Sequence, residues 1–147
     1  MKGTHLHTSL IAATAFALTL LAGCSRRGEV PYTLMNNYFI HYGVQDVPPV
    51  ITSEEEFGKY FSPAPVMGRG GEPTAVDFSR EFVIAVTCPE TDVATELSAV
   101  GLSRENGTLV FRYRLTTGEK MTYTMRPLLL VKVEGTDVKD VKVVRDR

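Results

Sequence analysis

Residues able to support catalysis or bind a metal are few in this chain of 147 residues. Of its three histidines, His5 and His7 precede an apolar N-terminal stretch, which leaves His41 as the candidate for a histidine-based triad or metal site. His41 stands among aromatic residues of a predicted strand, which favours a structural role. Cys88 precedes a proline and is a candidate reactive thiol, but it is more simply a small residue that closes a strand. We therefore predict no enzymatic activity, no metal site and no cofactor.

The other cysteine predicts covalent lipid chemistry. Leu10 to Leu20 is almost purely apolar and too short to span a bilayer, which is typical of the core of a signal peptide. The segment that follows, Leu21-Ala22-Gly23-Cys24, resembles the lipobox of bacterial lipoproteins. This resemblance implies cleavage before Cys24 and a diacylglycerol on its sulfur. An ordinary secretory signal and a short buried helix are the alternatives.

This interpretation divides the chain into three parts. Residues 1–23 form the signal peptide, 24–31 a polar tether, and 32–147 one β-rich domain. Acyl chains contribute ~0.8 kcal/mol per buried CH₂ and hold a protein on a bilayer without spanning it. We expect a lipid-anchored protein of the outer membrane, on either the periplasmic or the cell-surface face. The mature chain keeps 15 basic and 17 acidic residues, and this near balance argues against binding to nucleic acid.

The elements that position these residues are predicted to be mostly strands. Phe82 to Cys88 is a continuous apolar run, typical of a buried central strand, and Leu128 to Val133 is a second one. Asn106-Gly107 predicts a hairpin, and Gly118 a further turn. Val141 to Val144 is expected to form an edge strand.

The segment before the central strand has its own turn and helix signals. Tyr32 to Tyr42 predicts a strand with a possible bulge at Asn36-Asn37. Ser53, with Glu56 three residues later, matches a capping box and predicts one short helix over about 54–61. Together these elements give about six or seven mostly antiparallel strands. The predicted fold is all-β, a small antiparallel β-barrel or sandwich with one short helix.

A family resemblance covers about residues 50–134. The run from Asp77 to Val86, the following strands and hairpin, and the segment Arg126 to Val133 look like the PrcB C-terminal-type domains of protease-associated bacterial lipoproteins. In length, lipobox and β content the chain is also similar to potempins, which are lipoprotein peptidase inhibitors. Pro89-Glu90-Thr91-Asp92 stands where PrcB-type domains usually have Gly-Gly-Tyr. The resemblance implies a protein that binds and inhibits a secreted bacterial peptidase.

Two predicted loops qualify as the inhibitory surface. The segment 62–75 has three prolines and three glycines, and it offers Met67 and Arg69 to specificity pockets. In the second loop, Pro89 to Val93, the side chains of Glu90, Thr91 and Asp92 include carboxylates able to approach a partner's catalytic metal. The alternative function is a non-enzymatic envelope lipoprotein that binds glycan or another envelope protein.

Overall fold

The structure is a computed structural model that describes residues 28–136, 138 and 140–147. The predicted signal peptide and Cys24 lie outside these residues. In the described part of the chain, no helix has the length and apolar character needed to cross a membrane.

The described residues form nine strands and one helix, arranged in three sheets. In chain order they are β1 (Thr33–Met35), β2 (Tyr38–Ile40), β3 (Val50–Ile51), α1 (Glu54–Tyr60), β4 (Phe61–Pro63), β5 (Glu81–Thr87), β6 (Thr91–Glu105), β7 (Thr108–Met125), β8 (Leu128–Glu134) and β9 (Val141–Arg145). The sheets have the strand orders β1-β8-β5-β3, β2-β4 and β6-β7-β9. All pairs are antiparallel except β7 with β9, which is parallel.

One long two-stranded ribbon dominates the fold. β5 pairs with β8, and after short breaks at 88–90 and 126–127 the same two chain segments pair again as β6 and β7. Leu102 and Phe111, near the closed end of the ribbon, pack into the same core as Phe82 of β5. The ribbon therefore folds back on itself. Register shifts within the β6–β7 pair mark bulges, which bend and twist a ribbon of this kind.

The central strand β5 is buried on both faces. Phe82, Ile84 and Val86 face the core shared with β6 and β7, whereas Val83 and Ala85 face a second core. Helix α1 and the β2–β4 pair cover that second core through Phe57, Phe61 and Tyr38. Alternate side chains thus enter different cores, which explains the continuous apolar run. The all-β prediction with one short helix is confirmed, and the architecture is a layered sandwich, because the sheets that the described residues form do not close into a barrel.

Two local predictions are confirmed by their backbone geometry. Asn106 and Gly107 both have positive φ, 50° and 87°, and join β6 to β7 in the predicted hairpin. Helix α1 begins at Glu54 as predicted, where the Ser53 hydroxyl accepts the Glu56 N–H at 3.2 Å. The helix ends at Tyr60, one residue earlier than expected.

Other local predictions are wrong. Gly118 forms no turn, because β7 continues through it, and an added Cβ there would lie 3.3 Å from the Ala94 Cβ on the paired strand. The strand predicted over Tyr32–Tyr42 is two strands in different sheets, since Asn37 has a φ of 64° and breaks the extended backbone. Part of the predicted loop 62–75 belongs to β4, which pairs with β2. Short strands such as β3 raise the number above the expected six or seven.

Candidate functional site

The predicted residues Met67 and Arg69 lie on one tight loop, which we call the Met67 loop (residues 66–71). The Met67 side chain is fully exposed, an unusual position for a large apolar residue. The loop closes where the Val66 N–H donates to the Gly71 carbonyl at 2.9 Å. Inside it, the Gly71 N–H donates to the Gly68 carbonyl at 3.2 Å, which places Arg69 at the centre of a β-turn.

Asn36 and Asn37 hold this loop against the body of the domain. The Asn37 side-chain amide donates to the carbonyls of Gly70 and Glu72, at 3.0 and 2.9 Å. The Asn36 N–H donates to the Thr74 hydroxyl, and the Thr74 N–H donates to the Asn36 carbonyl. These contacts fix the backbone that follows Met67 in the chain, from Gly70 to Thr74. The loop is therefore an ordered structure although it contains no regular element.

Gly71 is required by close packing inside the loop. A Cβ at this position would lie 1.8 Å from the Val66 carbonyl oxygen, far closer than atoms can approach. Any other side chain must push the two ends of the loop apart. The identity of this glycine and the closed shape of the loop are thus linked.

The second predicted loop is wrong in its extent. Thr91 and Asp92 begin β6 and leave only 88–90 as the connection from β5, because Thr91 pairs with Met125 of β7. The Asp92 carboxylate forms an ion pair with Lys120 at 3.0 Å, and the Thr91 hydroxyl accepts the N–H of Val93. Both polar groups therefore have partners within the ribbon.

Glu90 lines a cleft of about 880 Å³ that the sequence did not predict. The cleft lies between residues 39–47 and the ends of β5 and β7. The Glu90 carboxylate accepts the Thr124 hydroxyl on its wall. Tyr42 is fully exposed at this cleft and Phe39 is about half exposed. The cleft thus combines exposed aromatic rings with hydrogen-bonding groups.

Phe39 and Tyr42 are the residues that sequence reasoning missed. Tyr38 and Ile40 pack into the second core, so alternation along β2 directs Phe39 and His41 outward. That alternation is visible in the sequence once the strand is limited to three residues. β2 starts only after Asn37, whose positive φ breaks the strand. This backbone conformation accompanies the tertiary contacts of Asn37 with Gly70 and Glu72.

Arg126 fixes the segment that carries Tyr42. Its guanidinium donates to the carbonyls of Val44 and Gln45, the latter at 2.8 Å. Because Arg126 lies in the break between β7 and β8, these bonds tie the 41–47 segment to the middle of the ribbon. The His41 N–H donates to the Tyr60 carbonyl at 2.9 Å, so this wall of the cleft is attached at His41 and again at Val44 and Gln45.

His41 and Cys88 also line the cleft, and their surroundings favour structural roles. Since a carbonyl can only accept, the His41 Nδ1–H donates to the Lys59 carbonyl at 3.1 Å, and Nε2 is hydrogen-bonded to the Ser62 hydroxyl. Burial raises the pKa of the Cys88 thiol more than Arg145 lowers it, which disfavours the reactive thiolate. Across the described ranges, no group of three or more His, Cys, Asp or Glu residues is placed to hold a metal ion.

The five predicted contact residues therefore divide between two places. Met67 and Arg69 share the Met67 loop, and Glu90, Thr91 and Asp92 lie where the chain enters β6. Of the second group, Glu90 alone lines the cleft. Comparison of this chain with protein-family models, with curated proteins and with solved structures finds no match in any of the three.

Proposed function

We propose that this chain is the precursor of a lipid-anchored outer-membrane protein whose β domain binds and inhibits a secreted bacterial peptidase. The observation that carries the proposal is the fully exposed Met67 on a loop closed by its own hydrogen bonds. Burying such a side chain in a partner's pocket contributes about 1.5–3 kcal/mol. A loop that is already ordered avoids most of the conformational cost of binding.

The loop has the properties that a substrate-like inhibitor needs. A closed turn of this kind can present one or two side chains to the pockets of a peptidase cleft, while its ordered backbone limits the entropy cost of binding. Met67 would fill the main pocket, with Arg69 as a second contact on the same turn. If the peptidase cuts the loop, the hydrogen bonds from Asn37 and Thr74 still hold its C-terminal side in place.

The rim of the cleft offers a second apolar contact to the same partner. Asn37 binds the Met67 loop through its side chain and lies two residues before Phe39 in the chain. Phe39 and Tyr42 are exposed aromatic residues, the type enriched at the centres of interfaces. The same class of partner is implied by the resemblance of residues 50–134 to PrcB-type domains and by the similarity to potempins in length, lipobox and β content.

The test is inhibition of the peptidases secreted by the host, using a soluble form of the protein that begins at Ser25. We expect inhibition, and we expect replacement of Met67 and Arg69 by alanine to weaken it at least tenfold, about 1.4 kcal/mol. Glu90 and Asp92, changed together to alanine, test the second candidate segment. Tyr123→Ala is the control, because it removes an exposed aromatic ring outside both segments.

Two outcomes would count against this proposal. If none of the secreted peptidases is inhibited or bound, the function is wrong. If inhibition survives both double substitutions and also Phe39→Ala and Tyr42→Ala, the inhibitory surface lies elsewhere on the domain.

A second function is favoured by the cleft. An exposed ring such as Tyr42, in the same cleft as the Glu90 carboxylate and the Thr124 hydroxyl, suits a ligand with one apolar face and several hydroxyl groups, as in a glycan. The protein would then be a non-enzymatic envelope lipoprotein. Glycan binding that is lost in Tyr42→Ala and unchanged in Met67→Ala would support this alternative over peptidase inhibition.

A further inference from the structure

The start of the described chain is docked on the edge of β6, next to the hairpin turn. Glu29 pairs with Ser103 in antiparallel fashion, the Val30 N–H donates to the Leu102 carbonyl at 2.8 Å, and the Arg104 N–H donates to the Gly28 carbonyl at 2.6 Å. Gly28 to Val30 thus extends the β6-β7-β9 sheet by one short segment. The last residues of the predicted tether are part of the domain.

The chain remains fixed as it continues from this segment into β1. Val30 and Tyr32 pack against the core, and the Tyr32 ring contacts the Phe111 ring edge to face at 5.9 Å. Gly28 has a φ of 96°, and a Cβ there would lie 3.1 Å from the Arg104 carbonyl oxygen. Docking at this point therefore depends on a glycine, and the position of Gly28 relative to the domain is set.

Only a few residues separate Gly28 from the predicted lipid-bearing Cys24. A fully extended chain spans at most ~3.3–3.6 Å per residue, so the four steps from Cys24 to Gly28 reach about 14 Å. A lipid-modified cysteine lies at the membrane surface. Resting on the lipid attachment in the proposed function, we infer that the turn that joins β6 to β7 faces the lipid headgroups, together with Gly28 and Arg104.

This end of the domain carries charges of both signs, with Glu29 exposed on the docked segment, and Arg26 and Arg27 tip the balance toward positive charge near the lipid site. Arg104 is exposed and lies over the turn, where its guanidinium donates to the Gly107 carbonyl. Glu105 is paired with Arg112 at 2.9 Å, so its charge is balanced. Arg26 and Arg27 add two positive charges along the sequence next to the lipid site. Basic residues close to an anionic leaflet are attracted to its headgroups.

The short connection fixes the orientation of the domain. β7 leads away from the turn, and Glu119 lies about 36 Å along the strand from Thr108 at ~3.3 Å per residue, before bulges shorten the path. We therefore expect Glu105 to lie near the headgroups and Glu119 to lie farther from them. Both are exposed glutamates on the same ribbon, which makes them a matched pair for labelling.

The experiment places a fluorophore at each site in the lipidated protein. Glu105→Cys and Glu119→Cys, each with Cys88→Ala, are reconstituted in phosphatidylethanolamine–phosphatidylglycerol vesicles that contain spin-labelled headgroups. We expect at least threefold stronger quenching at residue 105 than at residue 119. A twelve-residue Gly-Ser insertion before Gly28, about 20 Å in mean length, should remove most of this difference.

Mass spectrometry of the purified protein first shows whether Cys24 carries lipid. Lipidated protein with equal quenching at both sites, or stronger quenching at residue 119, would overturn the orientation and leave the proposed function intact. Unchanged contrast after the insertion would overturn the argument from reach. Absence of lipid on Cys24 would overturn the anchor itself and the orientation with it, whereas peptidase inhibition is measured separately.

Discussion

Gly71→Ala should open the Met67 loop. The added methyl group would lie 1.8 Å from the Val66 carbonyl oxygen, so the two ends of the loop must separate. The hydrogen bonds from Val66 N–H to Gly71 and from Gly71 N–H to Gly68 are then lost. At about 0.5–1.5 kcal/mol each, their loss lowers the free energy of unfolding by about 1–3 kcal/mol.

The effect on inhibition should exceed the effect on stability. Ordering the backbone of one residue costs about 1–2 kcal/mol, and an open loop must recover this order for several residues when it binds. We expect inhibition to weaken at least a hundredfold, about 2.8 kcal/mol. Urea unfolding measures the change in the free energy of unfolding, and the inhibition constant against the target peptidase measures the loss of inhibition.

Gly58→Ala is the matched control for this substitution. Gly58 lies in α1, and nothing stands within 4 Å of a Cβ built there. Alanine should stabilise the helix by about 0.5–1 kcal/mol and leave inhibition unchanged. If Gly71→Ala unfolds within about 0.5 kcal/mol of the parent protein and inhibits equally well, the reasoning from loop closure is refuted.

Substitutions at three further positions test the fold. The Asp77 N–H and the Lys132 ammonium both donate to the Glu81 carboxylate, and they keep its pKa below the usual value of 4.5. The ionised carboxylate therefore stabilises the domain at neutral pH. This stabilisation is lost as the pH falls through the folded-state pKa. Glu81→Gln should therefore cost about 1.5–3 kcal/mol in urea unfolding at pH 7 and much less in strong acid, and an equal cost at both would contradict the assignment. Ser53→Ala should cost about 1 kcal/mol by removing the helix cap, whereas Ser53→Asp should retain the stability. Phe111→Ala removes a fully buried ring and should cost about 3–5 kcal/mol; a loss below 1 kcal/mol in thermal unfolding would show that the two halves of the ribbon do not share a core.

Local signals in the sequence were sufficient to predict those features that depend only on residues close together in the chain. The Ser53 cap depends on a residue three positions away, and the Asn106-Gly107 turn depends on two adjacent positive φ angles. The apolar run over 82–86 indicated burial on both faces. The cap and the turn do not depend on where the remainder of the chain lies, whereas the apolar run predicts burial without naming the elements that provide it.

Tertiary structure decided the candidate site. Asn37 holds the Met67 loop from more than thirty positions away, and the pairing of Thr91 with Met125 turned a predicted loop into a strand. Glycine is a common turn residue, but Gly118 lies inside β7. Its lack of a side chain leaves room for Ala94 on the paired strand of the bulged ribbon. The sequence alone predicted the buried strands β5 and β8, where the helix begins and which loop carries Met67. How the ribbon folds back and which distant groups order that loop depend on long-range contacts, which the periodicity of a single segment does not encode.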